Sequence, residues 1–283
     1  MLDIGKTNDP QRDEARNRAR LKLHVLASGS KGNCSVIEDV RTGECVAIDC
    51  GISFKAFRER CEACGIQPQR VGAVLVTHEH TDHTKGLGVL TRGLARLGTA
   101  PVVYASEAVR AASAELQAIQ DAVDMRQFRA GDQIAFGPMR AYAFHTSHDA
   151  AESFGFRFTC EGDSIGFMTD TGVVTGEAHE ALQQCRVLAL EANHDPRMLS
   201  TGPYPAYLKA RIASDRGHLS NEQSAGLLET LLDNDLQCVV GMHVSQNNNT
   251  YRMPREALAD VLGRNDHPAK ALVGFQDRPV TVP

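Results

Sequence analysis

The sequence predicts an α/β protein whose sheets are covered by helices, and three features predict it. Short apolar runs alternate with helical patterns along the chain. Apolar runs end directly on a polar residue at Asp49, His78, His145, Asp170, Glu191 and His243, and strand C-termini are where open α/β folds place their sites. The chain also echoes itself. "SVIEDVRTGECVAIDCG" and "SFGFRFTCEGDSIGFMTDTG" both read strand, turn, strand, then D-x-G, which suggests a duplicated unit with one site between its halves.

In chain order, residues 1–20 form a polar leader with no apolar stretch of the secretory kind, expected to be disordered. A single domain over residues 21–283 follows, its first strand starting at Leu21. "SGSKGN", Ser28 to Asn33, is a small-residue turn whose backbone N–H groups could meet phosphate. The hairpin ending at Asp49 precedes a helical pattern, "SFKAFRERCEACG". The run "GAVLVT" leads to His78, and "KGLGVLTRGLARLG" and "SEAVRAASAELQAI" then have helical periodicity. Strands "MRAYAF", "IGFMT", "RVLAL" and "QCVVGM" complete the alternation, with helices over "TGEAHEALQQC" and "SNEQSAGLLETLL".

At 283 residues and 42% hydrophobic, the chain can bury a substantial core. No run reaches the ~18 apolar residues of a membrane span. The 8 cysteines are scattered, mostly in apolar runs, where free cysteine packs as a small hydrophobe. Without an export signal no disulfides are expected, and the lone CxxC, Cys61 to Cys64, has no second pair to build a zinc knuckle. The net charge of -5 argues against a passive nucleic-acid coat. The basic cluster Lys209, Arg211 and Arg216 still offers a polyanion a local landing place.

The stretch "THEHTDHTKG" concentrates the chemistry. His78 and His80 flank Glu79 at the two-residue spacing that points both side chains the same way in extended backbone. Asp82 and His83 follow and can reach a second point. A solvated loop with incidental histidines would account for this much. It leaves unexplained why His148, Asp170 and His243 also follow apolar strands. Imidazole and carboxylate suit Zn²⁺, Mn²⁺ or iron, and paired cations ~3.5–4 Å apart need a carboxylate to bridge them.

H-x-H-x-D-H, then a distant His, D-T-G and a final His, resembles the metallo-β-lactamase superfamily. The resemblance implies a metallo-β-lactamase αββα sandwich, two mixed β-sheets flanked by helices, with two divalent metal ions, Zn or Mn, at one edge. It implies that His78, His80 and His148 hold one ion, that Asp82, His83 and His243 hold the other, and that Asp170 bridges. Asp49, in "IDCG", would orient a ligand histidine from behind. "LASGSKGNCSVIE", "EANHDPRMLSTGPYPAYLKARIASDRGHLSN" and "HVSQNNNT" resemble the YycJ/WalJ branch, from Leu21 to about Ala259. That branch implies 5′→3′ exonuclease action on DNA, with RNA the other polymer to test. The chain departs from the branch in its long leader and an extra asparagine after His243. The segment between Asp170 and His243 is too short for the inserted domain of RNase J-type nucleases, and no long arm of the tRNase Z kind is evident.

The resulting expectation is a cytoplasmic phosphodiesterase in which a hydroxide bridging two cations attacks phosphorus. Asp82 helps to deprotonate that water. His218, in "RGHLSN", is the candidate to protonate the leaving 3′-oxygen or to contact phosphate, ahead of a rival metal ligand or a loop histidine that merely packs. Ser30, Asn33, Asn248 and Asn249 are candidate substrate contacts, and His194 and Asp195 could line the same edge. His145 fits the ligand position less well than His148. His24, His179 and His267 are assigned to surface or core. A small-molecule hydrolase of the same superfamily, acting on a thioester, lactone or cyclic phosphodiester, is the competing enzyme reading. A metal-binding regulatory protein without turnover is the third.

Overall fold

The computed structural model describes residues 19–282. Strands β1 (Leu21–Ala27), β2 (Cys34–Asp39), β3 (Cys45–Ile48), β4 (Val71–Leu75), β5 (Val102–Ala105) and β6 (Met125–Gln127) belong to one sheet. A second sheet takes β7 (Gln133–Phe136), β8 (Met139–His145), β9 (Phe154–Cys160), β10 (Asp163–Met168), β11 (Val187–Glu191), β12 (Cys238–Met242) and β13 (Lys270–Val273). The last strand, β14 (Val280–Val282), returns to the first sheet. The orders are β14-β1-β2-β3-β4-β5-β6 and β13-β12-β11-β10-β9-β8-β7, two mixed seven-stranded sheets.

The echo in the sequence is an echo in space. β2 and β3 form an antiparallel hairpin, as do β9 and β10. The second turns through Glu161 and Gly162 at φ 47° and 85°, the paired left-handed residues that suit the twist of a tight hairpin. Parallel strands then extend each sheet from β3 and from β10. Because β4 runs with β3, and β11 and β12 run with β10, the polar residues at their C-termini all emerge at one end of the sandwich.

Apolar faces of the two sheets close on each other, with Leu23, Ile37, Phe156, Phe158 and Val240 in one cluster. Each large side chain so buried stabilises the fold by roughly 1.5–3 kcal/mol. Helices Phe54–Ala63 and Leu87–Arg96 cover the first sheet through Phe57, Leu90 and Leu94. Helices Gly176–Leu182, Asn221–Leu231 and Arg252–Arg264 cover the second through Leu182, Leu228 and Leu258. The layers are therefore helix, sheet, sheet, helix. One expected helix is two: Ser113 accepts from Leu116 N–H and starts Ala114–Ile119 afresh after Glu107–Ala112. The cysteines are all free thiols, and Cys61 of the CxxC packs in the core.

The expected leader, residues 1–20, lies outside the described residues except at its end, and there it differs from the expectation. Arg20 is 5% exposed and clamps the two sheets at the end opposite the strand C-termini. Its guanidinium pairs with Asp39 at 2.5 Å, and its backbone N–H donates to Asp163, 2.7 Å away. Arg186 holds the same Asp163 at 2.6 Å. Burial works to raise the Asp39 carboxyl, but Arg20 and its other donors bring it down to about 2. Removing one member of a buried pair strands the other, so Arg20→Ala should cost about 3–5 kcal/mol in urea denaturation. The Asp39 contribution is whole above about 3.9, where the unfolded carboxyl ionises, and fades as pH falls through the folded value. Acid melts should therefore show the wild type approaching Arg20→Ala near pH 2; a gap that stays constant with pH would contradict the assignment.

Candidate metal centre

Backbone packing fixes the loop that carries the histidines. A Cβ on Gly51 would fall 1.6 Å from the Asp82 carbonyl oxygen, so only glycine lets the two loops touch. Asn33 N–H donates to that same carbonyl, 2.8 Å away, and Gly51 N–H donates to Asn33 O at 2.7 Å. Three residues at the strand ends adopt the left-handed backbone: Asp49 (φ 58°), Asp170 (φ 55°) and His243 (φ 53°). Such a conformation costs a non-glycine residue of order 1–3 kcal/mol and collects at functional sites. Here it turns each side chain out of its strand and into the space between the sheets' ends.

Two sets of donors converge there. His78 Nε2 and His148 Nε2 lie 3.1 and 3.2 Å from His80 Nδ1. Asp82 Oδ2 lies 3.5 Å from His83 Nε2 and 3.6 Å from His243 Nε2. Asp170 stands between the sets: Oδ2 is 3.4 Å from His83 Nε2, and Oδ1 is 3.8 Å from His148 Nε2. Each set keeps its ligand atoms within 4.8 Å of one another.

The far nitrogens of His148, His83 and His78 are already occupied, which leaves their converging nitrogens as the ones a cation can meet. His148 Nδ1–H donates to Gly217 O at 3.0 Å. His83 Nδ1 bonds Asp49 Oδ2 at 2.7 Å. Thr77 donates its hydroxyl to Asp49 and accepts from His78 Nδ1, at 2.8 and 2.9 Å. Asp49 therefore orients a histidine of each set, one directly and one through Thr77. Burial, reinforced by the neighbouring imidazoles, pushes His78 well below its ordinary value, and burial chiefly lowers His148. Burial also opposes the charged His83, but Asp170, Asp82 and Asp49 lift it to about 9. Asp82 is held below the ordinary carboxylate range despite burial, by His83 and His243.

The donor set fits divalent cations. Asp170 Oδ2 and His243 Nε2 are buried and have no hydrogen-bond partner, and an orphaned buried acceptor is costly unless something meets it. His80 Nδ1 lies about 3 Å from both His78 Nε2 and His148 Nε2, a crowding of imidazole nitrogens that a cation relieves.

Glu191 was visible in the sequence as a polar residue closing a strand but had no role assigned to it. It is fully buried, with Oε1 2.7 Å from His218 Nδ1 and 3.1 Å from His243 Nδ1. Burial works to raise its carboxyl, and the His218 and His243 imidazoles more than reverse this. His218 Nδ1 lies 3.8 Å from Asp170 Oδ1.

The four expected substrate contacts part company. Ser30 is exposed and lines a cavity of about 190 Å³ beside His218. Asn33 lies against the second donor set: its Oδ1 accepts from Gly29 N–H, and its Nδ2 donates to Asp82 Oδ2 at 3.1 Å. Asn249 is unavailable to a substrate because its amide is spent on Ala192 O, Asn193 O and Asn221. Asn248 is 1% exposed with both side-chain polar atoms unpartnered. His194 is 3% exposed, and Asp195 caps helix Pro196–Thr201 through Met198 N–H. His145 lies outside the cluster, 3.8 Å from both Glu152 and Glu177. His24, His179 and His267 bond Glu38, Thr230 and the Asp233 carbonyl, away from the centre.

Residues 45–244 match the family described as the beta-lactamase superfamily domain. The chain is 35% identical over 242 residues to exodeoxyribonuclease YycJ of Bacillus anthracis, covering 86% of this chain and 89% of that one. It is 33% identical over 248 residues to exodeoxyribonuclease WalJ of Streptococcus pneumoniae, covering 87% and 89%. In fold it is similar to the metallo-β-lactamase fold protein YhfI of Bacillus subtilis, with a TM-score of 0.66 and 12% identity over 93% of this chain and 99% of that one.

Proposed function

The chain belongs to the β-lactamase superfamily domain family, as a YycJ/WalJ-like member, and we propose that it is a dinuclear phosphodiesterase acting from the 5′ end of DNA. It is a metal-dependent hydrolase. The observation that carries the finer reading is the pair of donor sets meeting at Asp170, with the Glu191–His218 pair beside them. The names of its relatives support DNA over RNA, and the resemblance of its sequence strings supports the direction.

His78, His80 and His148 would hold one divalent cation, Asp82, His83 and His243 the other, and Asp170 both. Zn²⁺ and Mn²⁺ each suit such ligands. When bound, the cations would supply Lewis acidity toward a phosphate oxygen and bring a water's pKa near neutral.

The chain's own residues do the rest. Asp49 and Thr77 fix the tautomers of His83 and His78, so that their lone pairs stay aimed inward. Asp82, ionised throughout the working range, accepts the proton-bearing side of the attacking water and passes that proton toward solvent. Glu191 fixes His218 through Nδ1, which leaves Nε2 to deliver a proton to the leaving 3′-oxygen.

The test is a nuclease assay with separate metals on 5′- and 3′-labelled DNA and RNA. Mononucleotides should leave 5′-labelled DNA first, with Mn²⁺ or Zn²⁺ present. No release from any labelled strand by metal-loaded protein would sink the reading, and cleavage confined to RNA would replace the substrate.

A further inference from the structure

The cavity beside His218 is not one of the donor sets, and its lining is of two kinds. Tyr204, Leu208 and Ile212 give it a flat aromatic and apolar wall. Ser30, Asn193 and Ser245 give it hydroxyl and amide edges. The apolar wall comes from helix Ala206–Ile212 and the turn before it. Tyr204 is held in place there, its hydroxyl accepting from Asn247 Nδ2 at 2.7 Å. Arg211 also lines the cavity and pairs with Asp149, neutralising a carboxylate that would otherwise repel a polyanion. One flat apolar wall with polar edges is complementary to a nucleoside, whose base has a π-face and whose rim and sugar are polar. At about 190 Å³ the cavity is smaller than the ~300–1,000 Å³ of drug-sized ligand sites, so it takes one base and its sugar at most, with the phosphate outside, and not a run of nucleotides.

We propose that this cavity takes the terminal deoxynucleotide of the strand being cut, its base against Tyr204. The assignment rests on the phosphodiesterase reading above, and His218 supplies its polarity. In that reaction a water oxygen bonds to phosphorus and the P–O3′ bond breaks. The water's proton passes by way of Asp82 to solvent, and a proton from His218 goes to the departing oxygen. The nucleotide that owns this oxygen must therefore sit on the His218 side of the phosphate. His218 is part of the cavity wall. The nucleotide in the cavity is thus the one released, and a space for one nucleotide makes the enzyme cut one residue from an end.

The experiment compares wild type, Tyr204→Phe, Tyr204→Ala and Leu208→Trp for dAMP binding by calorimetry and for kinetics on 5′-phosphorylated single-stranded DNA. Tyr204→Ala should raise KM about tenfold, with kcat changed less, and weaken dAMP by a similar factor, the scale of one base–aromatic stack. Tyr204→Phe keeps the ring but loses the Asn247 bond that holds it, so its KM and dAMP affinity should fall between those of wild type and Tyr204→Ala. Leu208→Trp fills the cavity and should abolish dAMP binding. Tyr207→Ala, which removes a 75% exposed ring outside the cavity, should leave dAMP binding unchanged. Wild type that degrades DNA while Tyr204→Ala keeps its KM, or dAMP binding intact in both Tyr204→Ala and Leu208→Trp, overturns the cavity assignment. If wild type degrades no DNA, the phosphodiesterase reading falls instead, and dAMP binding alone then decides the cavity.

Discussion

Asp170→Asn lowers kcat/KM on DNA by roughly 10³-fold or more, a loss of several kcal/mol of charge stabilisation, and leaves the protein short of metal. Asparagine is the sharper variant than alanine because it tolerates the left-handed backbone that Asp170 adopts and keeps the side-chain volume. What it removes is the carboxylate within 3.4 Å of His83 and 3.8 Å of His148, the acid that among the described residues reaches both donor sets. Burial opposes the charged form of Asp170, while His243 and His83 bring its carboxyl below the ordinary range. It is therefore ionised when a cation arrives. Elemental analysis after desalting is the direct check, with fewer ions per chain than wild type expected. Full metal content and activity within tenfold of wild type would remove Asp170 from the centre.

His218→Ala should lower kcat by about 10²–10⁴, the usual weight of general acid–base catalysis, with metal content unchanged. The size of the loss should depend on the leaving group. A p-nitrophenyl phosphodiester departs without a proton, so the variant should lose far less on it than on DNA. The alternative is specific, because Asp170, Glu191, His218 and His243 also bring ligand atoms within 4.8 Å of one another. If His218→Ala sheds metal and loses equally on both substrates, His218 is a ligand and not a proton donor. Glu191 serves His218 and His243 together. Glu191→Gln should accordingly depress kcat and metal retention at once, where His218→Ala separates them.

The sequence announced what was local. His78, His80, Asp82 and His83 fall within one loop; strand-end position marked Asp49, Asp170 and His243 among others, and the resemblance gave them their roles. The two hairpins were readable because apolar runs flank turn residues. What escaped depends on distant partners. Arg20 reads as one more charge in a polar leader until Asp39 and Asp163 arrive beside it. Glu191 reads as an isolated acid after a strand, because the imidazoles it supports follow 27 and 52 residues later. Asn249 had the composition of a substrate contact, yet its amide fastens the loops of its own chain. The short helices Pro196–Thr201 and Ala206–Ile212 have too few turns to show a clear period.

Strand β14 pairs with the outer edge of β1, Leu23 opposite Val282, so β1 waits for a partner made at the far end of the described residues. On a ribosome adding ~5–20 residues per second, that edge stands open for tens of seconds. Its N–H and C=O groups are meanwhile free to pair with another nascent chain. The first sheet can be finished only once Val280–Val282 has been made, and a variant that deletes only Val280–Val282 would spare every proposed metal donor while leaving a molecule prone to sticking to its copies.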